Sequence, residues 1–211
     1  MNAMEQVKEA VVSGSVAETL AGIDAAISAG IAPAEIIQTS LIGAMTVVGE
    51  QFKNCEIYVP EMLIAARAMK AGLQKLKPLL LGKEVKALST VVIGTVKGDL
   101  HDIGKNLVGI MMEGAGCKVV DLGVDIAPEK FVEAVNLHNP EFLGMSALLT
   151  TTMPMMKETI AALEKSGKRS SVKVLVGGAP ISQKFADEIG ADGYAGNAAE
   201  AVDKIKAMIQ G

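Results

Sequence analysis

The chain has 211 residues, a net charge of −4 and two cysteines. That length is enough for one large domain or two small ones with a buried core. An acidic balance without any block of Lys and Arg argues against nucleic acid as a partner. Half of the residues are hydrophobic, yet no stretch is long and apolar enough to span a bilayer. The start, MNAMEQVKEA, lacks the apolar core of a signal peptide, so a cytoplasmic protein that does not engage a membrane is expected. Cys55 and Cys117 lie far apart, without the spacing of a zinc motif, and a cytosolic chain with two cysteines seldom forms a disulfide. The twelve Met residues are read mainly as core filler.

In chain order, residues up to about 85 read as helices only. Runs at 7–12 and 16–27 are broken by Ser13-Gly14 and by Gly30-Ile31-Ala32-Pro33. A third helix is expected over 32–52, with Pro33 in its first turn and Ile36, Ile37, Leu41, Ala44, Met45 and Val48 at helical spacing. A fourth follows Pro60 through Met62, Leu63, Ala66, Met69, Leu73 and Leu76, and stops near Pro78. Four helices with short connections suggest a small bundle, and the charged stretch Leu81–Ser89, with Gly82, reads as a linker and hinge. The domain boundaries follow as 1–85 and 89–211.

From Ala87 onward, short β-branched runs alternate with helical ones. Strands are expected at 90–93, 118–121, 142–145, 172–176 and 193–195, and helices at 103–114, 128–137, 154–165, 182–189 and 198–209. This alternation predicts an α/β domain with a doubly wound, five-stranded parallel sheet. Such sheets bind ligands beyond the carboxyl ends of their strands, where the strand order reverses.

Three segments fall at strand ends. The first runs from Gly94 to Asn106 and contains Gly98-Asp99-Leu100-His101-Asp102-Ile103-Gly104; the second is Ser146-Ala147-Leu148, followed by Thr150 and Thr152; the third is Gly177-Gly178. A histidine in a loop just before a helix, with a carboxylate two residues earlier, fits a metal-ligating imidazole steadied at its other nitrogen. Gly98 and Gly104 would let the backbone approach a bulky flat ligand. A capping or core histidine, and a loop-turn aspartate, are the plainer readings of the same residues.

Asp-x-His-x-x-Gly, then Ser-x-Leu, then Gly-Gly resembles the cobalamin-binding signature of methionine synthase, the B12-dependent mutases and the corrinoid proteins of methanol, methylamine and O-demethylase methyltransferase systems. Here Asp99, His101 and Gly104, then Ser146 and Leu148, then Gly177 and Gly178 carry it. The N-terminal half is similar to the helical cap of that family, through Ala44-Met45, Val48-Gly49, Phe52, Tyr58-Val59-Pro60-Glu61, Ala65-Ala66 and Met69. It departs at Asn54-Cys55-Glu56, where relatives usually carry Gly before the Glu, which puts a loop conformation in doubt. The resemblance implies a four-helix-bundle cap on a Rossmann-like, flavodoxin-like B12-binding domain.

The resemblance also implies roles. Cobalamin, cycling between methylcobalamin and cob(I)alamin, would bind with its benzimidazole tail displaced from cobalt and His101 as the lower ligand. Gly98, Asp102, Ile103 and Gly104 would line the loop around it, and Asp99 would take the other ring N–H of His101. Thr152 matches the hydroxyl that extends this relay in methionine synthase, or is merely structural. Ser146 would bond the freed benzimidazole nitrogen, Leu148 would pack the tail and Thr150 would contact the loop below the ring. Gly177 and Gly178 would leave a channel for the tail, so that a side chain at Gly178 blocks binding and spares the fold. Tyr194 and Asn197 would reach the nucleotide end or simply lie on the surface. Tyr58, Val59, Met62 and Leu63 would cover the upper face of the metal or pack the bundle. His138 is read as solvent-exposed.

The function implied is that of a methyl carrier, not an enzyme alone. One substrate-specific methyltransferase would methylate cobalt, a second would pass the methyl group to tetrahydrofolate or a thiol, and a reductive activator would restore the cofactor. A B12-dependent sensor is the alternative, but light-sensing relatives have Trp in the cap and a basic DNA-binding domain, and this chain has no Trp. A small mutase subunit is another, but those usually lack the cap.

Overall fold

The computed structural model describes residues 2–80 and 87–210. Of the expected linker, residues 81–86 lie outside the described residues. The chain divides into two compact units, Met1–Ala87 with Gly114–Gly116, and Leu88–Glu113 with Cys117–Gly211.

The first unit is helical: α1 (Ala3–Val12), α2 (Val16–Ser28), a single turn α3 (Pro33–Glu35), α4 (Gly43–Lys53) and α5 (Val59–Leu76). Side chains of Asn2 and Ser15 accept from the backbone N–H groups of Glu5 and Glu18 and so start α1 and α2. Glu61 reaches back to the Tyr58 N–H at 3.1 Å at the start of α5. Between α3 and α4 the expected α-helix is replaced by a π-helical segment, Ile36–Ile42. The buried residues explain it. Ile36, Ser40, Ala44 and Val48 all face the core, a strict four-residue step. In an α-helix such a stripe drifts by about 40° per step, and a wider turn keeps it facing inward. Cys55, where relatives usually have Gly, has φ +59. It occupies the left-handed position that ends α4, which Gly adopts at least cost.

Met62 requires a correction. It is fully buried, on the inner stripe of α5 with Ala65, Met69 and Leu76, and presents no surface to a ligand. The exposed apolar residues at this end of α5 are Tyr58, Val59, Leu63 and Ile64.

The second unit holds β1 (Thr90–Thr95), β2 (Lys118–Asp121), β3 (Phe142–Ser146), β4 (Lys173–Gly177) and β5 (Gly193–Ala195), all parallel, in the order β2-β1-β3-β4-β5. Helices α6 (Ile103–Gly114), α7 (Pro128–His138), α8 (Pro154–Lys165), α9 (Gln183–Ile189) and α10 (Ala198–Gln210) alternate with them. The central strands β1, β3 and β4 are buried nearly throughout, as in a sheet covered on both faces. Val92, Leu143, Val174, Phe131, Met156 and Leu163 are among the residues of one core cluster. His138 is half-buried rather than exposed, at the end of a helix closed by left-handed Asn139.

Strand order places the site. The chain leaves β1 toward β2 on one side and later returns to β3 on the other, so the reversal lies between β1 and β3. The register sets Thr95 beside Ser146, Ser146 beside Gly177 and Gly177 beside Ala195. The three motif segments therefore leave the sheet from one row at its carboxyl edge.

Candidate functional site

Asp99 organises the switch point. It is fully buried and joins the loop after β1 to the loop after β3. Its Oδ2 accepts from the backbone N–H groups of Leu148 at 2.8 Å and Leu149 at 3.2 Å, and from the Thr152 hydroxyl at 2.7 Å. Its Oδ1 accepts from the His101 N–H at 3.1 Å and lies 2.8 Å from His101 Nδ1. Burial pushes this carboxyl upward, but donation from Thr152, Leu148 and His101 outweighs it, and the group is held well below the usual carboxylate range. Asp99 is therefore an anion at neutral pH, and an anion only accepts hydrogen bonds. In the neutral imidazole the proton then sits on Nδ1, and Nε2 keeps its lone pair.

His101 is half-exposed, with 51% of its side chain open to solvent against none for Asp99. Its carbonyl accepts from the Thr95 hydroxyl at 2.9 Å. No described residue bonds to Nε2. The loops after β1 and β3 carry apolar side chains that solvent would not select: Leu100, Ile103, Leu148 and Leu149 are exposed, Ile103 by 82%. A Cβ built on Gly104 meets nothing within 4 Å, so no protein atom requires glycine there. An unbonded imidazole nitrogen, exposed apolar side chains on the same two loops and an open position at Gly104 together fit a bulky metal cofactor. Among the described residues, no three His, Cys, Asp or Glu side chains are grouped to hold a metal ion. A metal on His101 would take its remaining ligands from the cofactor itself.

Other expected residues fall into place unevenly. Ser146 ends β3, and its hydroxyl donates to no protein acceptor among the described residues. Thr150 is exposed. Asp102 is bonded by the Asn106 amide at 3.0 Å, and the Lys105 ammonium, itself buried, contacts Asn106 Oδ1 at 2.7 Å and Asp121 Oδ2 at 2.5 Å. This chain ties the start of α6 to the end of β2, and gives a buried cation the partner it needs. Tyr194 is half-buried. Asn197 and Glu200 bond one another at the start of α10.

The glycines separate into two kinds. Gly178 has φ +129, and a Cβ there would lie 1.9 Å from the Ala147 carbonyl oxygen. The expectation that a side chain at Gly178 spares the fold is thus overturned, because the protein's own backbone excludes it. At Gly177 a Cβ would come within 3.0 Å of the Ala195 oxygen. Sequence reasoning missed the N–H of Leu149, the Thr95 hydroxyl and the Lys105–Asp121 pair. Only Lys105 left a signal, as a lysine within a helix pattern otherwise apolar on its inner face.

Comparison with known proteins gives two matches to family models, each described as a B12 binding domain, at residues 89–205 and 3–77. Over 209 residues the chain is 42% identical to dimethylamine corrinoid protein 1 of Methanosarcina mazei, covering 99% of this chain and 96% of the relative. Trimethylamine corrinoid protein 2 of Methanosarcina acetivorans is 45% identical over 187 residues, 88% of this chain and 86% of the relative. Among solved structures, the methanol:cobalamin methyltransferase complex MtaBC from Methanosarcina barkeri superposes with a TM-score of 0.91 at 33% identity, covering 99% of this chain and 80% of that one. A cobalamin-binding protein from Desulfitobacterium hafniense superposes at 0.79 with 32% identity, covering 98% of this chain and 97% of that one.

Proposed function

Because the chain belongs to the B12-binding-domain family, we propose that it is a corrinoid protein that carries a methyl group on cobalamin between partner proteins. When bound, the cobalt supplies the centre to which a methyl group is attached and from which it is removed. This chain's residues hold and orient. His101 would hold the cobalt through Nε2, while Asp99 fixes its tautomer and ring plane through Nδ1. Leu100, Ile103, Leu148 and Leu149 would cover the flat ring, and Gly104 would give it room. Ser146 would donate to the benzimidazole nitrogen of the tail, and Gly177 and Gly178 would flank that tail. Thr152 keeps Asp99 ionised.

The observation that carries this reading is the Asp99–His101 pair at the switch point, with Nδ1 occupied and Nε2 free. Two partner methyltransferases complete the function. One would methylate the metal and one would pass the methyl group to tetrahydrofolate or a thiol, with a reductive activator to restore the cofactor. The chain is not an enzyme alone, and its place is the cytoplasm; none of its described helices is long and apolar enough to cross a membrane. The relatives are named for dimethylamine and trimethylamine, which makes a methylated amine the donor class to test first.

The test is His101→Ala loaded with cobalamin. The variant should retain the cofactor through the tail, while its absorption spectrum moves to that of the water-ligated, base-off form. Identical spectra for the two proteins would remove His101 as the ligand.

A further inference from the structure

The turn that carries Asp99 is gripped from a neighbouring loop by a residue outside all three motif segments. The Val96 carbonyl accepts from the Asp99 N–H at 3.1 Å, and Gly98, third in this four-residue turn, has φ +81, as a type II turn requires. Beside it, residues 123–126 extend the pairing of β1 beyond the sheet. The Thr95 N–H donates to the Gly123 carbonyl and the Ile126 N–H to the Thr95 carbonyl, both at 3.0 Å. Within this strap, Asp125 makes two bonds to the turn. Its Oδ1 accepts from the Gly98 N–H at 2.7 Å, and its own N–H donates to the Asp99 carbonyl at 3.0 Å. The two groups it holds lie on either side of the Gly98–Asp99 peptide bond.

Asp125 has φ +56, a left-handed conformation that residues other than Gly rarely adopt and that Asp and Asn tolerate best. Such a conformation persists where the surroundings over-determine it, and here the two bonds do so. Asp125 is exposed and adds nothing to the core. Its described hydrogen bonds go to Gly98 and Asp99. A residue in that position does little for the stability of the sheet and much for the orientation of one turn.

We propose that Asp125 is a positioning residue for His101. It fixes the Val96–Asp99 turn from outside, so that the Asp99 carboxylate, and through it the imidazole, is aimed before any cofactor arrives. This inference rests on the reading that His101 ligates cobalt.

Three variants separate the contributions. Asp125→Gly frees φ and deletes the acceptor; Asp125→Ala deletes the acceptor and strains φ; Asp125→Asn keeps both an acceptor oxygen and tolerance of the left-handed conformation. Each full-length protein is loaded with cobalamin and reduced to the cob(II)alamin state, where the axial nitrogen splitting in the EPR spectrum reports histidine ligation. Asp125→Gly and Asp125→Ala should lower the ratio of His-ligated to water-ligated cofactor about fivefold, the effect of one backbone hydrogen bond. Cofactor retention should stay unchanged, and each variant should remain folded at the assay temperature, its melting temperature falling by no more than the few degrees that one hydrogen bond and left-handed strain are worth. Asp125→Asn should restore most of the ratio. In the apo protein, amide exchange at Gly98 should accelerate in the Gly variant. A wild-type ratio in both the Gly and Ala variants overturns the proposal, as does an Asn variant no better than Ala, or a loss of ligation that only tracks a loss of folding. Failure of the underlying reading looks different: wild type and His101→Ala then share one spectrum.

Discussion

Asp99→Asn is isosteric, yet the structure predicts a large cost. The wild-type carboxylate accepts on both oxygens, from three donors at Oδ2 and two at Oδ1. An amide keeps an oxygen on one side only. If its NH₂ faces β3, the N–H groups of Leu148 and Leu149 lose their acceptor. If it faces the loop, the His101 N–H loses its acceptor, and His101 Nδ1 becomes an acceptor, which moves the ring proton to Nε2. In the first case two donors lose their acceptor beside a fully buried group, and in the second case one does, each costing about 1–3 kcal/mol. The smallest sum is about 1 kcal/mol, which for a chain of this length lowers Tm by at least about 2 °C. Calorimetry of the apo variant at pH 7 measures this. The pH dependence follows from the sign of the shift. The folded-state pKa is depressed, so the wild type's advantage is fully present above the unfolded value, near pH 4. It should shrink as the pH falls below that and the carboxylate is progressively protonated. An Asn variant that melts within about 1 °C of wild type at pH 7, or a gap that does not narrow in acid, would refute the five-donor account.

Thr152→Val removes the hydroxyl bond to Asp99 and keeps the shape, so the apo protein should lose about 1.5–3 kcal/mol, a hydrogen bond to a charged group; Thr152→Ser should recover it in the same melting experiment. Gly178→Ala should destabilise the apo protein by about 3 kcal/mol or more, since a Cβ meets backbone and φ is positive. A melting temperature equal to wild type would mean that the β3 loop yields. Gly104→Ala should do the opposite: within a helix and with open space, it should leave the apo protein equally stable or stabilise it by about 0.4–1 kcal/mol, and weaken cobalamin binding in equilibrium titration.

The fold was legible because two periodicities meet in the chain. Short β-branched runs alternate with helical ones after residue 87, and that alternation allows few arrangements other than a parallel sheet. The motif's place followed, since its three segments end three strands. The parts that could not be read are those where one residue type has two physical causes. Gly104 and Gly178 are the same letter, but at Gly178 the excluding atom is the Ala147 carbonyl, whereas at Gly104 no protein atom excludes anything. Met62 shares its helical stripe with Ala65 and Met69, and only the packed bundle tells an inward stripe from a ligand-facing end. Backbone donors such as the N–H of Leu149 carry no side-chain signature at all. Asp125 is an exposed acidic residue in a loop, of a kind found on any surface; its left-handed φ and its bond to Gly98 exist only once β2 lies beside β1. The consequence for the site is specific. The residues that would touch the cofactor are marked by motif, while those that aim them are distributed over neighbouring loops and are set by strand order. A chain that preserved Asp99, His101 and Gly104 but lost the strap at 123–126 would keep the motif and lose the aim, and the Asp125 variants separate those two properties in one protein.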